Sequence, residues 1–269
     1  MIGAILGDVV GSIYEFDNIK TKEFELFDKE CFFTDDSVMT IAIAEALMQF
    51  KYISEENINV FKEDLITIMH RIGCKYPDCG YGGRFLVWML RHKREPYNSF
   101  GNGSAMRVSS VGWYAKTLEE AELIAKATAE VSHNHPEGIK GAVATAGAVF
   151  LARTGATMDE LKNYIAQYYT IDFTIDEIRP IYDYDITCQG TVPQAMQAFF
   201  ESENFEDAIR NAISIGGDSD TLAAITGAVA EAFYGIPEEL KETTLSYLDE
   251  RLLDITERFE DKYLLYHTF

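Results

Sequence analysis

Three features of the chain predict an all-α fold. No stretch alternates apolar and polar residues over strand length. Apolar positions recur instead at helical spacing, as at Leu118, Ala121, Leu123, Ile124, Ala127 and Val131. Three runs, 38–47, 141–152 and 222–230, are so rich in small and apolar residues that they read as helices buried on most sides. No linker, low-complexity tract or composition break divides the 269 residues, so they are read as one domain, 1–269.

In order along the chain, residues 2–13 place glycines at 3, 7 and 11, which on a helix form one face for close packing. The pattern is not a dinucleotide-binding GxGxxG loop, because no strand precedes it. Glu15 then enters a loop rich in charge and aromatic residues, where solvation is the default for a single glutamate. Residues 33–37, Phe-Thr-Asp-Asp-Ser, open the apolar helix at 38–47, and 55–72 is again helical in spacing. Two glycine-rich loops follow, 79–84 and 99–107. The second opens a helix, so its N–H groups suit an anion, although plain turns also use such sequences.

The spacing predicts helices over 117–131, 157–170 and 204–215. Residues 132–138 start the helix that becomes the 141–152 run, with Pro136 in its first turn and His133 and His135 as ligands or polar caps. That run lies between Lys140 and Arg153 and is too short to cross a bilayer. Residues 182–185 read as a solvated acidic loop, and 191–199 as a helix capped by Thr191. Residues 237–266 read as one or two amphipathic helices.

The richest stretch is 215–221, where Gly216 and Gly217 turn the chain and Asp218, Asp220 and Thr221 stand at the mouth of the buried helix 222–230. One aspartate there is an ordinary N-cap. A cap uses only one carboxylate, and a second buried acid is costly without a partner. With the Thr221 hydroxyl, the pair suggests oxygen ligands for a hard cation, magnesium, manganese or calcium rather than zinc. The mouth at 34–37 repeats the same logic, and two such mouths suggest a site built from distant segments.

A formal net charge of −21 argues against nucleic-acid polymers and anionic membranes as partners. It leaves room for a small phosphate ligand held by metal ions or aligned N–H groups. Cys31, Cys74, Cys79 and Cys188 form no CxxC pair, which suits reduced thiols and a cytoplasmic location. Asp8 and Glu15 interrupt the N-terminal stretch and no basic segment leads it, so no signal peptide is expected. A monomer is the expected state.

Four stretches, Gly-Asp-Val-Val-Gly-Ser-Ile-Tyr-Glu at 7–15, Phe-Thr-Asp-Asp-Ser at 33–37, Gly-Asn-Gly-Ser-Ala-Met-Arg at 101–107 and Gly-Gly-Asp-Ser-Asp-Thr at 216–221, resemble in order and spread the ADP-ribosylglycohydrolase family. The resemblance implies a compact all-α domain with a centre of two divalent cations, magnesium or manganese. On it, Thr34, Asp35 and Asp36 match one half of the metal site, and Asp218, Asp220 and Thr221 the other, with Asp220 bridging. Glu15 matches a mobile glutamate beside the metals, an acid/base or gate residue, and Asp35 or Asp36 would serve the attacking water. Gly82, Ser99, Phe100, Asn102, Gly103 and His133 match positions contacting ADP-ribose, with Phe100 or Tyr81 available to stack on adenine. The implied activity is hydrolysis of the C1″ bond of ADP-ribose on an acceptor, an ADP-ribosylated protein or a small conjugate. The alternatives are a hydrolase of a free small molecule such as O-acetyl-ADP-ribose, and a non-catalytic ADP-ribose-binding protein.

Overall fold

In the computed structural model, residues 1–263 are described, and they fold into helices. The first eight are α1 (Ile2–Gly11), α2 (Asp35–Met48), α3 (Ile58–Gly73), α4 (Gly83–Leu90), α5 (Gly103–Met106), α6 (Ser109–Tyr114), α7 (Leu118–Glu130) and α8 (Pro136–Arg153). There follow α9 (Met158–Ile165), α10 (Ile175–Ile178), α11 (Cys188–Phe200), α12 (Phe205–Ser214), α13 (Ser219–Tyr234), α14 (Glu238–Leu245) and α15 (Glu250–Tyr263). Among the described residues there is no strand, and an isolated bridge pairs Gly101 with Thr187. The all-α expectation holds.

Two apolar cores lie on either side of α1. Ile5 and Val9 join a core with Met39, Phe61, Trp88 and Phe259, whereas Leu6 and Val10 join one with Val149, Phe199, Ile209 and Leu222. Every residue of α1 is buried, and so is α13 from Ser219 to Glu231. The glycine face of α1 meets α13 backbone to backbone. A Cβ on Gly7 would sit 2.0 Å from the Ala223 carbonyl oxygen, and one on Gly11 would sit 2.4 Å from the Asp220 Cα. Glycine is required there by approach rather than by backbone conformation, and the approach sets Asp8 level with Asp220.

The helix starts follow capping chemistry. Thr34 caps α2 by accepting from the Asp36 N–H, Thr157 and Thr174 form reciprocal boxes with Glu160 and Glu177, and His135 Nδ1 accepts from the Glu137 N–H. Thr191 is not a cap. The helix begins at Cys188 with Thr187 as its cap and Pro193 inside it. The reason is tertiary: Cys188 donates to the Phe100 carbonyl and Asn102 to that of Ile186, pinning 186–188 against the 99–102 loop. The 237–266 expectation resolves into α14 and α15, its last three residues lying outside the described ones. All four cysteines are free.

Candidate active site

The N-termini of α2 and α13 converge beside α1. Asp8, on α1, is fully buried and accepts from the Thr34 hydroxyl at 2.6 Å, the Thr34 N–H at 2.9 Å, the Ser37 N–H at 3.1 Å and the Ser37 hydroxyl. It thereby holds the mouth of α2 in place. Two carboxylate groupings result, Asp8 with Asp36 and Asp220, and Glu15 with Asp218 and Asp220. In each, one oxygen from every member lies within 4.8 Å of the others. Asp220 belongs to both.

Capping does not account for these acids. Asp218 occupies the N-cap of α13 yet makes no capping bond. Its Oδ2 accepts instead from Asn102 Nδ2 at 2.6 Å. Thr221 Oγ1 donates to Asp36 Oδ2 at 3.3 Å, and Thr34 Oγ1 lies 3.5 Å from Asp220 Oδ2. Asp36 Oδ1 has no hydrogen-bond partner although the residue is 3% exposed. Asp35, half-buried, stands outside both groupings and lines the cavity with Gly80.

Burial raises the affinity of all six carboxylates for protons. Asp35, Asp36 and Asp220 lie well above the ordinary range, with neighbouring carboxylate charges adding to burial. Asp8 and Asp218 are raised less steeply, because the hydrogen bonds they accept oppose burial. Glu15 is pushed up to about 7, first by burial and then by Asp218 and Asp8, against a hydrogen bond from Tyr184. No Lys or Arg among the described residues pairs with any of them. Buried like charges with an orphaned lone pair and only oxygen donors fit hard divalent cations.

Glu15, Asp35, Asp36, Asp218 and Asp220 floor a cavity of about 320 Å³, and Asp8 lies outside its lining. The rest of its wall carries Gly82, Ser99, Asn102, Gly103 and His133, together with Arg84 and Arg107, and Asn102 reaches the acids themselves. The wall is neutral or positive. Arg107, 1% exposed, donates to Ser132 Oγ at 2.9 Å and to the Thr128 carbonyl, and Ser132 Oγ lies 2.8 Å from His133 Nδ1. Ser132 Oγ thus bridges the Arg107 guanidinium and the His133 imidazole. Burial and the charges of Arg107 and Arg84 hold that imidazole well below its usual range, hence neutral. Nε2 lies under the loop, 3.2 Å from where a Cβ on Gly103 would stand.

The structure thus brings Glu15, Asp35, Asp36, Asp218, Asp220 and Thr221 together with Gly82, Ser99, Asn102, Gly103 and His133 around one cavity, and Thr34 lies just beneath the floor. Phe100 is not part of the lining; its ring packs 5.3 Å from that of His135. Tyr81 is not part of it either, being buried against Phe85. The aromatic rings that do line it belong to Phe85, Tyr97 and Tyr184. Residues 182–185 are therefore more than a solvated loop. Tyr184 donates to Glu15 Oε1 at 2.9 Å and stacks on Phe16, and Tyr182 donates to the Gly190 carbonyl.

Sequence reading passed over Asp8, Arg107 and Tyr184. An acid inside an otherwise small and apolar helix was the available signal for Asp8. The other two act through partners remote in the chain and leave no local signal.

The scaffold is all-helical and draws buried carboxylates from separate helix starts to one cavity, where they could hold metal ions, beside glycine-rich loops and two arginines. The ADP-ribosylglycohydrolase family model matches residues 1–267, and the chain belongs to that family. It is 24% identical to ADP-ribosylhydrolase ARH3 of Homo sapiens, covering 94% of this chain and 90% of that protein. It is 25% identical to ADP-ribosylarginine hydrolase Tri1 of Pseudomonas putida (strain GB-1), covering 88% and 70%. A solved ADP-ribosylglycohydrolase-related protein complex shares the fold, with a TM-score of 0.63, 21% identity, and 94% and 97% of the two chains covered.

Proposed function

We propose that this protein hydrolyses the C1″ glycosidic bond linking ADP-ribose to an acceptor, a protein side chain being the acceptor class, and releases ADP-ribose. One observation carries the reading: a single cavity sets a floor of buried carboxylates, with Asp220 common to both groupings, against a wall of neutral and cationic donors. Thr34, Asp35, Asp36, Asp218, Asp220 and Thr221 are the residues that would hold two divalent cations, magnesium or manganese. Bound cations of this kind supply Lewis acidity and make water a stronger acid.

The chain's own groups divide the remaining work. The 99–103 loop and the His133 imidazole receive the diphosphate, with Gly82 on the same wall. Asp35 and Asp36 orient a water and accept its proton as its oxygen bonds to C1″. The bond from C1″ to the acceptor atom breaks as positive charge builds on the sugar, which the acidic floor favours. Glu15, with a proton affinity near neutrality, is suited to give its proton to the leaving acceptor. Tyr184 sets its carboxyl orientation.

The test is release of free ADP-ribose from arginine-linked and serine-linked modified proteins, with O-acetyl-ADP-ribose alongside, in magnesium, manganese or excess chelator. Chelator-sensitive release from a modified protein is the expected result. Release from O-acetyl-ADP-ribose alone would move the acceptor to a small molecule. Tight ADP-ribose binding without release from any substrate would sink the hydrolase reading.

A further inference from the structure

A second cleft, of about 350 Å³, shares a wall with the main cavity, since Gly83, Arg84 and Tyr97 line both. Val87, Trp88 and Lys93 complete its lining, which contains no carboxylate. Its surroundings run against the charge of the chain. Residues 79–118 carry six Lys and Arg and a single acid, Glu95, where the whole chain has 23 basic and 44 acidic residues. Arg84, Arg91, Lys93 and Arg94 are exposed. Glu63 takes Arg94, whereas Arg91 and Lys93 form no ion pair with a described residue. Arg84 lies 4.9 Å from the centre of the Tyr97 ring and donates to the Tyr97 carbonyl. Trp88 is 1% exposed, and its indole N–H has no hydrogen-bond partner.

Cations at the edge of an apolar floor, in a space of small-ligand size, match a ligand with one planar apolar part and one anionic part. We propose that this cleft binds a nucleoside phosphate, its base against Val87 and Tyr97, above the buried Trp88, and its phosphate against Arg84 and Lys93. An inorganic anion would leave the floor uncovered, and an apolar ligand would leave Lys93 without a counter-charge. The nucleoside phosphate is either a free nucleotide or a second nucleoside phosphate carried by a conjugate whose ADP-ribose fills the main cavity. Only the second source rests on the hydrolase reading.

The chain has two tryptophans, so Trp113→Phe leaves Trp88 as the sole indole reporter. Titration of that variant with AMP is expected to change Trp88 emission saturably and less strongly as salt rises. Adding Lys93→Glu is expected to weaken the apparent Kd about tenfold, the loss of one charge-assisted contact, and Lys93→Arg to restore it. Lys93 is exposed and lines the cleft but not the main cavity, so the reversal isolates the cleft. No saturable change, a Kd indifferent to Lys93→Glu, or pyrophosphate binding as tightly as AMP would each overturn the proposal.

A second arm identifies the source by comparing kcat/KM for a simple ADP-ribose conjugate with that for one extended by a further nucleoside phosphate. If Lys93→Glu lowers the extended-to-simple ratio about tenfold, the substrate's extension occupies the cleft. With the titration positive and that ratio unmoved, the occupant is a free nucleotide. Should no conjugate be hydrolysed at all, the hydrolase reading fails while the titration still decides the cleft.

Discussion

The floor and the wall of the cavity solve opposite electrostatic problems. The floor gathers Glu15, Asp35, Asp36, Asp218 and Asp220, with Asp8 buried behind them and no described cation among them, so it is assembled against its own repulsion. The wall keeps Arg107 1% exposed, and burial together with that charge holds His133 neutral. One side gathers like charges with no described cation to offset them; the other is tied by hydrogen bonds that run from Arg107 to the Thr128 carbonyl and to Ser132. The lesson is that stability and affinity are separable here. Removing a floor acid is expected to cost affinity for cations and relieve repulsion, whereas removing a wall residue breaks the hydrogen bonds that join Arg107, Ser132 and His133.

The largest expected effect breaks the floor. Asp36→Asn and Asp218→Asn should each lower turnover by about three orders of magnitude and abolish the thermal shift caused by magnesium or manganese. The metal-free variants should melt no lower than the metal-free parent. Near-normal turnover of both with metal present would remove the centre from the mechanism.

Asp8→Asn sharpens the same side, because Asp8 positions Thr34 and Ser37. Cation affinity measured by calorimetry should fall about 10–100-fold, with turnover largely recovered at saturating metal. A loss that saturation does not recover would make Asp8 more than a positioning residue.

His133→Gln tests the wall. It should raise KM for an ADP-ribose conjugate about tenfold with little change in cation affinity. A change in cation affinity instead would merge the two halves.

The smallest effect comes from a buried carboxylate far from the cavity. Glu260, 8% exposed, is pushed up to about 7, burial being the main cause. It holds a proton in the folded chain that the unfolded chain releases near 4.5, so stability falls as pH rises from about 4.5 to about 7 and is flat above. Glu260→Gln should remove that slope and be the more stable form at pH 8 by at most about 3 kcal/mol. Urea denaturation of both at pH 5 and pH 8 reads the difference, and parallel pH profiles would show that Glu260 does not titrate in this window.

Sequence legibility follows the same division. Thr34, Asp35, Asp36 and Asp218, Asp220, Thr221 stood out because a hydroxyl and paired acids at the head of an apolar helix form a local pattern, and pairing the two mouths was the one long-range step. The buried runs at 38–47, 141–152 and 222–230 were readable from composition, and the glycine face of α1 from its four-residue spacing. What escaped was set by distant partners. Thr187 and Thr191 are both chemically fit to cap, and the bridge to Gly101 chose the earlier one. Phe100 looked suited to stacking, but its ring settles against His135. The short helices α4, α6 and α10 lack the length for a periodic signal to rise above their loops.

The backbone contact of α1 with α13 has a consequence for how the molecule forms. Thr221 and Asp36 bond across 185 positions of sequence, and Thr34 and Asp220 across 186. During synthesis, α1 and α2 therefore emerge and wait, with acids exposed, until the last quarter of the chain arrives. Such remote pairings close late and slowly, which makes the acidic centre one of the final features to assemble. Protection of Asp220's amide against hydrogen exchange should accordingly appear only with the fully closed native state, and a cation that binds there would slow global unfolding rather than merely steady a loop.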